Sequence, residues 1–197
     1  MPVARETSPE EILLLGHPDL RKVCAPVGDF KSPEFRAEGR RLIGALEHFR
    51  ATYGFGRAIA APQIGILKRL IAMNLGKGPF LITNPELSGE SRERFTLWDD
   101  CMSFPWLMVR VERHRHVDLD YRDEAGKPQK WSKVEQAVSE LLQHEVDHLN
   151  GVLAVDRALD RESIIARKIY EERKAFFDSQ VDYAIKNRDS SRFPRLS

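Results

Sequence analysis

The sequence predicts an α+β fold, with short strands in antiparallel or mixed sheets packed around a central helix that bears His-Glu-x-x-His. Three observations carry that expectation. An early stretch repeats its apolar residues at helical spacing, and a middle portion breaks into short β-like runs bounded by Gly, Pro and Asn. Two further helical patterns close the chain, and helix, then strands, then helices is the α+β order. The 197 residues suit a single catalytic domain over 1–186, with 187–197 a polar, flexible C-terminal tail.

The first helix begins at Ser32-Pro33-Glu34, which reads as N-cap, Pro at the first helical position and an acid in the first turn. Phe35, Leu42, Ile43, Leu46, Phe49 and Tyr53 follow at helical spacing, and Gly54 supplies the C-cap. Beyond it, β-like runs cover 58–61, 69–73, 80–83, 106–111 and 117–121, and the segments 106–113 and 115–122 are candidates for an antiparallel pair. A second helix is expected over 134–150, stopped by Gly151. A third begins near Asp160 and carries Ile164, Ile165, Ile169, Tyr170 and Phe176.

Composition narrows the function. Lys+Arg 31 against Asp+Glu 30 leaves a net charge of +1, which argues against nucleic acid or an anionic membrane as the main partner. No apolar run approaches the ~18 residues of a membrane helix. Two cysteines are too few for a disulfide framework, and the N-terminus carries Glu6 with no apolar stretch, so a cytoplasmic location is expected.

The chemistry lies in His144-Glu145-Val146-Asp147-His148. Imidazoles at i and i+4 share one helix face and can reach a single ion. Val134, Val138, Leu141, Leu142 and Leu149 form one apolar stripe, and Glu145 projects from its middle. A carboxylate there is costly unless a cation lies beside it, and burial beside a metal ion suits it to general acid/base work. A catalytic centre normally takes three protein ligands. The extension His-x-x-Gly-x-x-His is closed, because Ala154 stands where the next His would fall. Glu171, Glu172 and Cys101 remain as candidates for the third position.

Three segments together resemble the peptide deformylase family: Gly56-Arg57-Ala58-Ile59-Ala60-Ala61-Pro62-Gln63, Asp99-Asp100-Cys101-Met102-Ser103, and His144 to His148. The likeness extends to Gly16-His17-Pro18-Asp19-Leu20-Arg21 and Ile82-Thr83-Asn84-Pro85, and covers roughly 12–175. The resemblance implies Cys101, His144 and His148 as metal ligands and Glu145 as the acid/base. Gln63 and the backbone N–H of Met102 would be the oxyanion donors. It further implies one divalent metal per chain, Fe(2+) or Zn(2+), and a hydrolase that removes formate from N-formylmethionyl peptides, including nascent chains at the ribosome. The alternative is a deformylase-like metal-binding protein with lost or altered activity, either another N-acyl amidase or a non-catalytic partner.

The departures from the family pattern gather around substrate. Asp99-Asp100 stands where the family has Glu-Gly, and Ala58 stands where it has a second glycine. Gly56, Ala58 and Asp100 are accordingly substrate-contact candidates. The family's substrate-contacting arginine falls near Met108, leaving Arg110 as a stand-in. An inward Asp100 carboxylate at ~6 Å would interact with the metal centre by roughly 3 kcal/mol at an effective dielectric of ~20; an outward one would do little. Cys24 reads as a small buried hydrophobe, and Asp147 as a partner of Arg113 or of a ligand histidine. His114 and His116 read with Arg110 and Arg113 as a basic surface, and Phe176-Phe177 as packing for the last helix.

Overall fold

The computed structural model describes residues 11–185; the expected tail at 187–197 lies outside them. Helix α1 spans Pro33–Tyr53. Ser32 Oγ accepts from the Phe35 N–H, Pro33 occupies the first helical position, and Gly54 ends the helix at φ 76°.

Five strands make the larger sheet: β1 (Ala58–Ala60), β2 (Leu70–Met73), β3 (Phe80–Ser88), β6 (Asp118–Arg122) and β7 (Pro128–Trp131). They lie in the order β1-β2-β3-β6-β7, every pair antiparallel. The smaller sheet is β4 (Arg94–Asp99), β5 (Leu107–His114) and β8 (Ile164–Ala166), also antiparallel, in the order β4-β5-β8. Helix α2 spans Gln136–Leu149, two residues shorter at its start than its apolar pattern suggests. Short helices α3 (Arg167–Glu172) and α4 (Lys174–Asp178) follow β8.

Alternation along β1 and β2 explains the layering. Ile59, Leu70 and Ala72 face Leu42, Leu46 and Phe49 of α1, whereas Ala58, Ala60, Ile71 and Met73 face Leu142, Val146 and Leu149 of α2. The sheet centre is thus buried on both faces, and its strands read as continuous apolar runs. On the α2 side β1 offers only alanine methyl groups, which lets the helix lie against the strand. Among the described residues no helix is long and apolar enough to cross a membrane.

Two expectations need correction. Segments 106–113 and 115–122 do not form a hairpin: β5 pairs with β4 and β8, and β6 pairs with β3 and β7. Val109 and Val111 serve the core under Phe95 and Leu97, while Val117 and Leu119 serve the core under α2. The chain therefore crosses between sheets, tied as it passes by Ser139 Oγ donating to His114 O and Val134 N donating to Val117 O. The expected third helix likewise does not start near Asp160. Asp160 Oδ1 accepts from Glu162 N and Ser163 Oγ, making a turn, and the β-branched Ile164-Ile165 pair as a strand. Helix begins only at Arg167 and is interrupted at Arg173.

Candidate metal centre and the cavity in front of it

Helix α2 carries His144, Glu145 and His148, and the loop leaving β4 brings Cys101 against it. Cys101 Sγ lies 3.2 Å from His148 Nε2, which lies 3.2 Å from His144 Nε2. One ligand atom from each of these three buried residues falls within 4.8 Å of the others. Among the described residues this cluster joins Cys101, and not Glu171 or Glu172, to the two histidines as the candidate third donor. Glu145 is 3% exposed, and its Oε2 has no hydrogen-bond partner among the described residues. Two imidazole nitrogens and a sulfur converging on one point beside such a carboxylate fit a divalent ion.

The neighbours orient the donors. His144 Nδ1 lies 2.9 Å from Asp99 Oδ2, so the ring presents Nε2 to the cluster. Asp99 also accepts from Arg113 Nη2 at 3.4 Å, and Arg113 Nη1 donates to Asp147 Oδ2 at 2.6 Å. Arg157 Nη2 reaches the other Asp147 oxygen at 2.7 Å. The shorter Asp99 side chain therefore still meets the ligand ring, and Asp147 binds Arg113 rather than a ligand histidine. The expected basic surface does not include Arg113, which is buried at 4% exposure.

Gln63 sits in the 3-10 turn after β1. Its Oε1 accepts from Ala60 N at 2.9 Å, which turns Nε2 toward Cys101 Sγ at 3.6 Å and Ser103 Oγ at 3.2 Å. Met102 lies in the same cavity wall, and its Cε would stand 2.7 Å from any Cβ at position 56. Gly56 is favoured there by its φ of +112°, a backbone conformation that residues with a Cβ rarely adopt.

Burial sets the electrostatics. It pushes the Cys101 thiol up, so the thiolate needs a cation to persist. Burial pushes the Glu145 carboxyl up to about 7, against the pull of His144. His148 is held well below its ordinary value by burial and by His144. For His144 burial acts downward, but the Asp99 carboxylate outweighs it and the net direction is up.

In front of the cluster lies a cavity of about 570 Å³ whose lining includes Gln63, Cys101, Met102 and Glu145, and also Gly56, Ala58 and Asp100. Arg110 does not line it. It donates to Asp160 and Ser163 on the opposite side of β5 and stacks over Trp98, because it alternates with the inward Val109 and Val111. Asp100 points into the wall, where Arg167 Nη2 holds it at 2.9 Å. Reading from sequence missed that partner, and it missed the Arg57–Glu140 ion pair in the same cavity. The pair leaves a trace: Glu140 stands four residues before His144, on the same helix face.

Fold and cluster together define a hydrolase that works with one bound metal ion. A family model described as polypeptide deformylase matches residues 9–163. A peptide deformylase of Thermotoga maritima is 33% identical over 157 residues, 80% of this chain and 92% of that protein. One of Synechococcus sp. strain CC9605 is 35% identical over 166 residues, 82% and 79% of the two chains. The crystal structure of the Thermotoga maritima enzyme superimposes with a TM-score of 0.69 at 34% identity, over 76% of this chain and 97% of that one. That of a Synechococcus elongatus peptide deformylase in complex with actinonin gives 0.72 at 31% identity, over 83% and 85%. The chain belongs to the peptide deformylase family.

Proposed function

We propose that this chain removes the formyl group from N-formylmethionyl peptides, with Cys101, His144 and His148 as ligands of one divalent ion. The observation that supports it best is the convergence of three ligand atoms within 4.8 Å beside a buried, unpartnered carboxylate oxygen. Bound there, the ion supplies a Lewis acid that polarises the formyl carbonyl and makes water more acidic. Glu145 accepts the proton of the attacking water and returns it to the leaving amine; its raised affinity for a proton suits both steps. Gln63 Nε2 and the backbone N–H of Met102 donate to the oxygen that becomes anionic. Loss of one such donor elsewhere costs about 3–4 kcal/mol of barrier.

The mixed thiolate and imidazole set admits Fe(2+) or Zn(2+) without choosing between them, and the family resemblance favours Fe(2+). The natural substrates on this reading are nascent chains emerging from the ribosome. A thiol ligand, together with the unpaired Cys24, favours a reducing cytoplasm. The test is release of a free amino terminus from formyl-Met-Ala-Ser by anaerobically prepared Fe(2+) protein, with acetyl-Met-Ala-Ser as control and formate measured for the first peptide. Free amine and formate from the first peptide, no free amine from the second, and loss of both products in Glu145→Gln are expected. Fully metallated protein that releases none overturns the reading.

A further inference from the structure

We propose that the segment 182–185, which follows α4, completes the substrate site, with Ile185 forming an apolar wall for the methionine side chain. The inference deepens the deformylase reading and rests on it. The match to the family model ends at residue 163, yet Ile185 lines the same cavity as Gln63, Cys101 and Glu145. It also packs against the core cluster that contains Leu97 and Cys101. A stretch of chain outside the matched residues thus returns to the metal cluster.

Hydrogen bonds show how it is brought back. Within its sheet β4 pairs with β5 on one side, and the segment takes the other. Thr96 N and Oγ1 both donate to Asp182 Oδ2, at 2.9 and 2.8 Å. Asp182 N donates to Thr96 Oγ1 at 3.1 Å, and Tyr183 N donates to Thr96 O at 3.1 Å. Upstream, Trp98 Nε1 donates to Phe177 O at 2.9 Å and ties α4 to the same strand. Burial alternates along the segment: Val181, Tyr183 and Ile185 are half-buried, whereas Asp182 and Ala184 are exposed. That is an extended chain with one face on the protein. The Tyr183 ring meets Phe95 edge-on at 5.6 Å, and the next residue on that face is Ile185.

The chemistry of the wall suits methionine. Ile185 joins Ala58, Met102 and Leu141 as the aliphatic part of the cavity lining. A half-buried aliphatic chain facing a wet cavity gains when an apolar substrate chain covers it. Methionine, unbranched and polarisable, adapts to such a surface. Ile185 carries no group that moves a proton or stabilises charge, so it contributes binding alone.

The experiment measures kcat and KM for release of a free amino terminus from formyl-Met-Ala-Ser and formyl-Ala-Ala-Ser by metal-loaded protein. Ile185→Ala is expected to raise KM for the methionine peptide about tenfold, with kcat unchanged and KM for the alanine peptide within about twofold. Ile185→Val, which removes one methyl, is expected to raise the methionine KM about threefold, and it decides the matter should Ile185→Ala not fold. An unchanged or lowered methionine KM, an equal rise for both peptides, or a fall in kcat alone overturns the proposal. A merely structural role for Ile185 would move both peptides alike. No free amine from either peptide with the unaltered, fully metallated protein overturns the deformylase reading and the wall with it. Turnover by the unaltered protein with KM changes that ignore the substrate side chain overturns the wall alone.

Discussion

Helix α2 separates two sets of buried charge that look alike and differ in kind. Behind the histidines, Arg113 joins Asp99 to Asp147 at 4% exposure, and no residue of this trio lies in a position to meet substrate except Asp99 at the cavity edge. In front, Arg57 and Glu140 open onto the cavity, with Arg57 a third exposed. The rear network holds the His144 ring in place, whereas the front one faces whatever enters. Arg113 and Asp147 line a second cavity, away from the metal cluster's front, so the rear charges act on geometry and stability while those facing the front cavity act on recognition.

The largest expected effect falls where the two regions meet. Glu145→Gln keeps the shape of the site but can no longer carry a proton, and formate release should fall by about 10²–10⁴-fold. Metal content, measured on the same preparation, should stay at one ion per chain. A fall in turnover that merely tracks lost metal would mean that Glu145 serves the ion and not the reaction.

Next comes the rear network. Arg113→Met leaves Asp99 and Asp147 buried without their shared cation, a loss of about 3–5 kcal/mol in unfolding stability. Denaturant titration reads it. The exposed Arg157 still reaches Asp147, so the smaller end of that range is expected. Asp99→Asn tests the same region more gently. Its carboxamide can accept from His144 Nδ1 but no longer draws the imidazole electrostatically, and metal affinity should drop about 10–100-fold with the fold intact. Competition with a chelator measures it. Unchanged affinity would show that Asp99 braces the protein and does not tune the ligand.

The front region contains the residue that departs most visibly from the family pattern. An inward Asp100 carboxylate would act on the metal centre by its charge, yet Arg167 at 5% exposure stands 2.9 Å away and also donates to Pro105 O. Removing the carboxylate therefore strands a buried cation. Asp100→Gly should destabilise the protein by about 1–3 kcal/mol, and Asp100→Gly combined with Arg167→Met should recover most of it. Denaturant midpoints for the two variants give the coupling. Additive losses would mean that the two residues act separately.

These regions were unequally legible in the sequence. The i, i+4 histidines, the stripe around Glu145 and the caps of α1 are local patterns, and local patterns survive reading in one dimension. The salt bridges are not local: Arg57 meets Glu140, and Asp100 meets Arg167, across distances along the chain that no spacing rule covers. The sheet crossing between β5 and β6 escaped for a similar reason. Alternation says that residues 107–114 and 118–122 are strands, but which core each face serves depends on α2 lying between them. Ile164-Ile165 misled in the opposite direction, since apolar residues near Ile169 and Tyr170 imitate a helical period that the Asp160 turn interrupts.

The smallest expected effect tests the boundary of the cavity. Arg110 stands two residues from the position where the family's substrate-contacting arginine falls, and proximity along the strand suggests a substitute. Parity does put Arg110 on the face of Met108 and Trp98, but its guanidinium is bound there to Asp160 and Ser163 and does not line the cavity. Its ion pair is partly exposed, so Arg110→Gln should cost no more than about 1 kcal/mol of stability and leave kcat/KM for formyl peptides within twofold. Arg57→Gln, by contrast, alters a side chain that faces the cavity and should change kcat/KM by a factor that depends on the first residue of the peptide. A tenfold loss in Arg110→Gln, alike for every peptide, would move the substrate to the other side of β5 and dissolve the distinction between the front of α2 and the rest of the molecule.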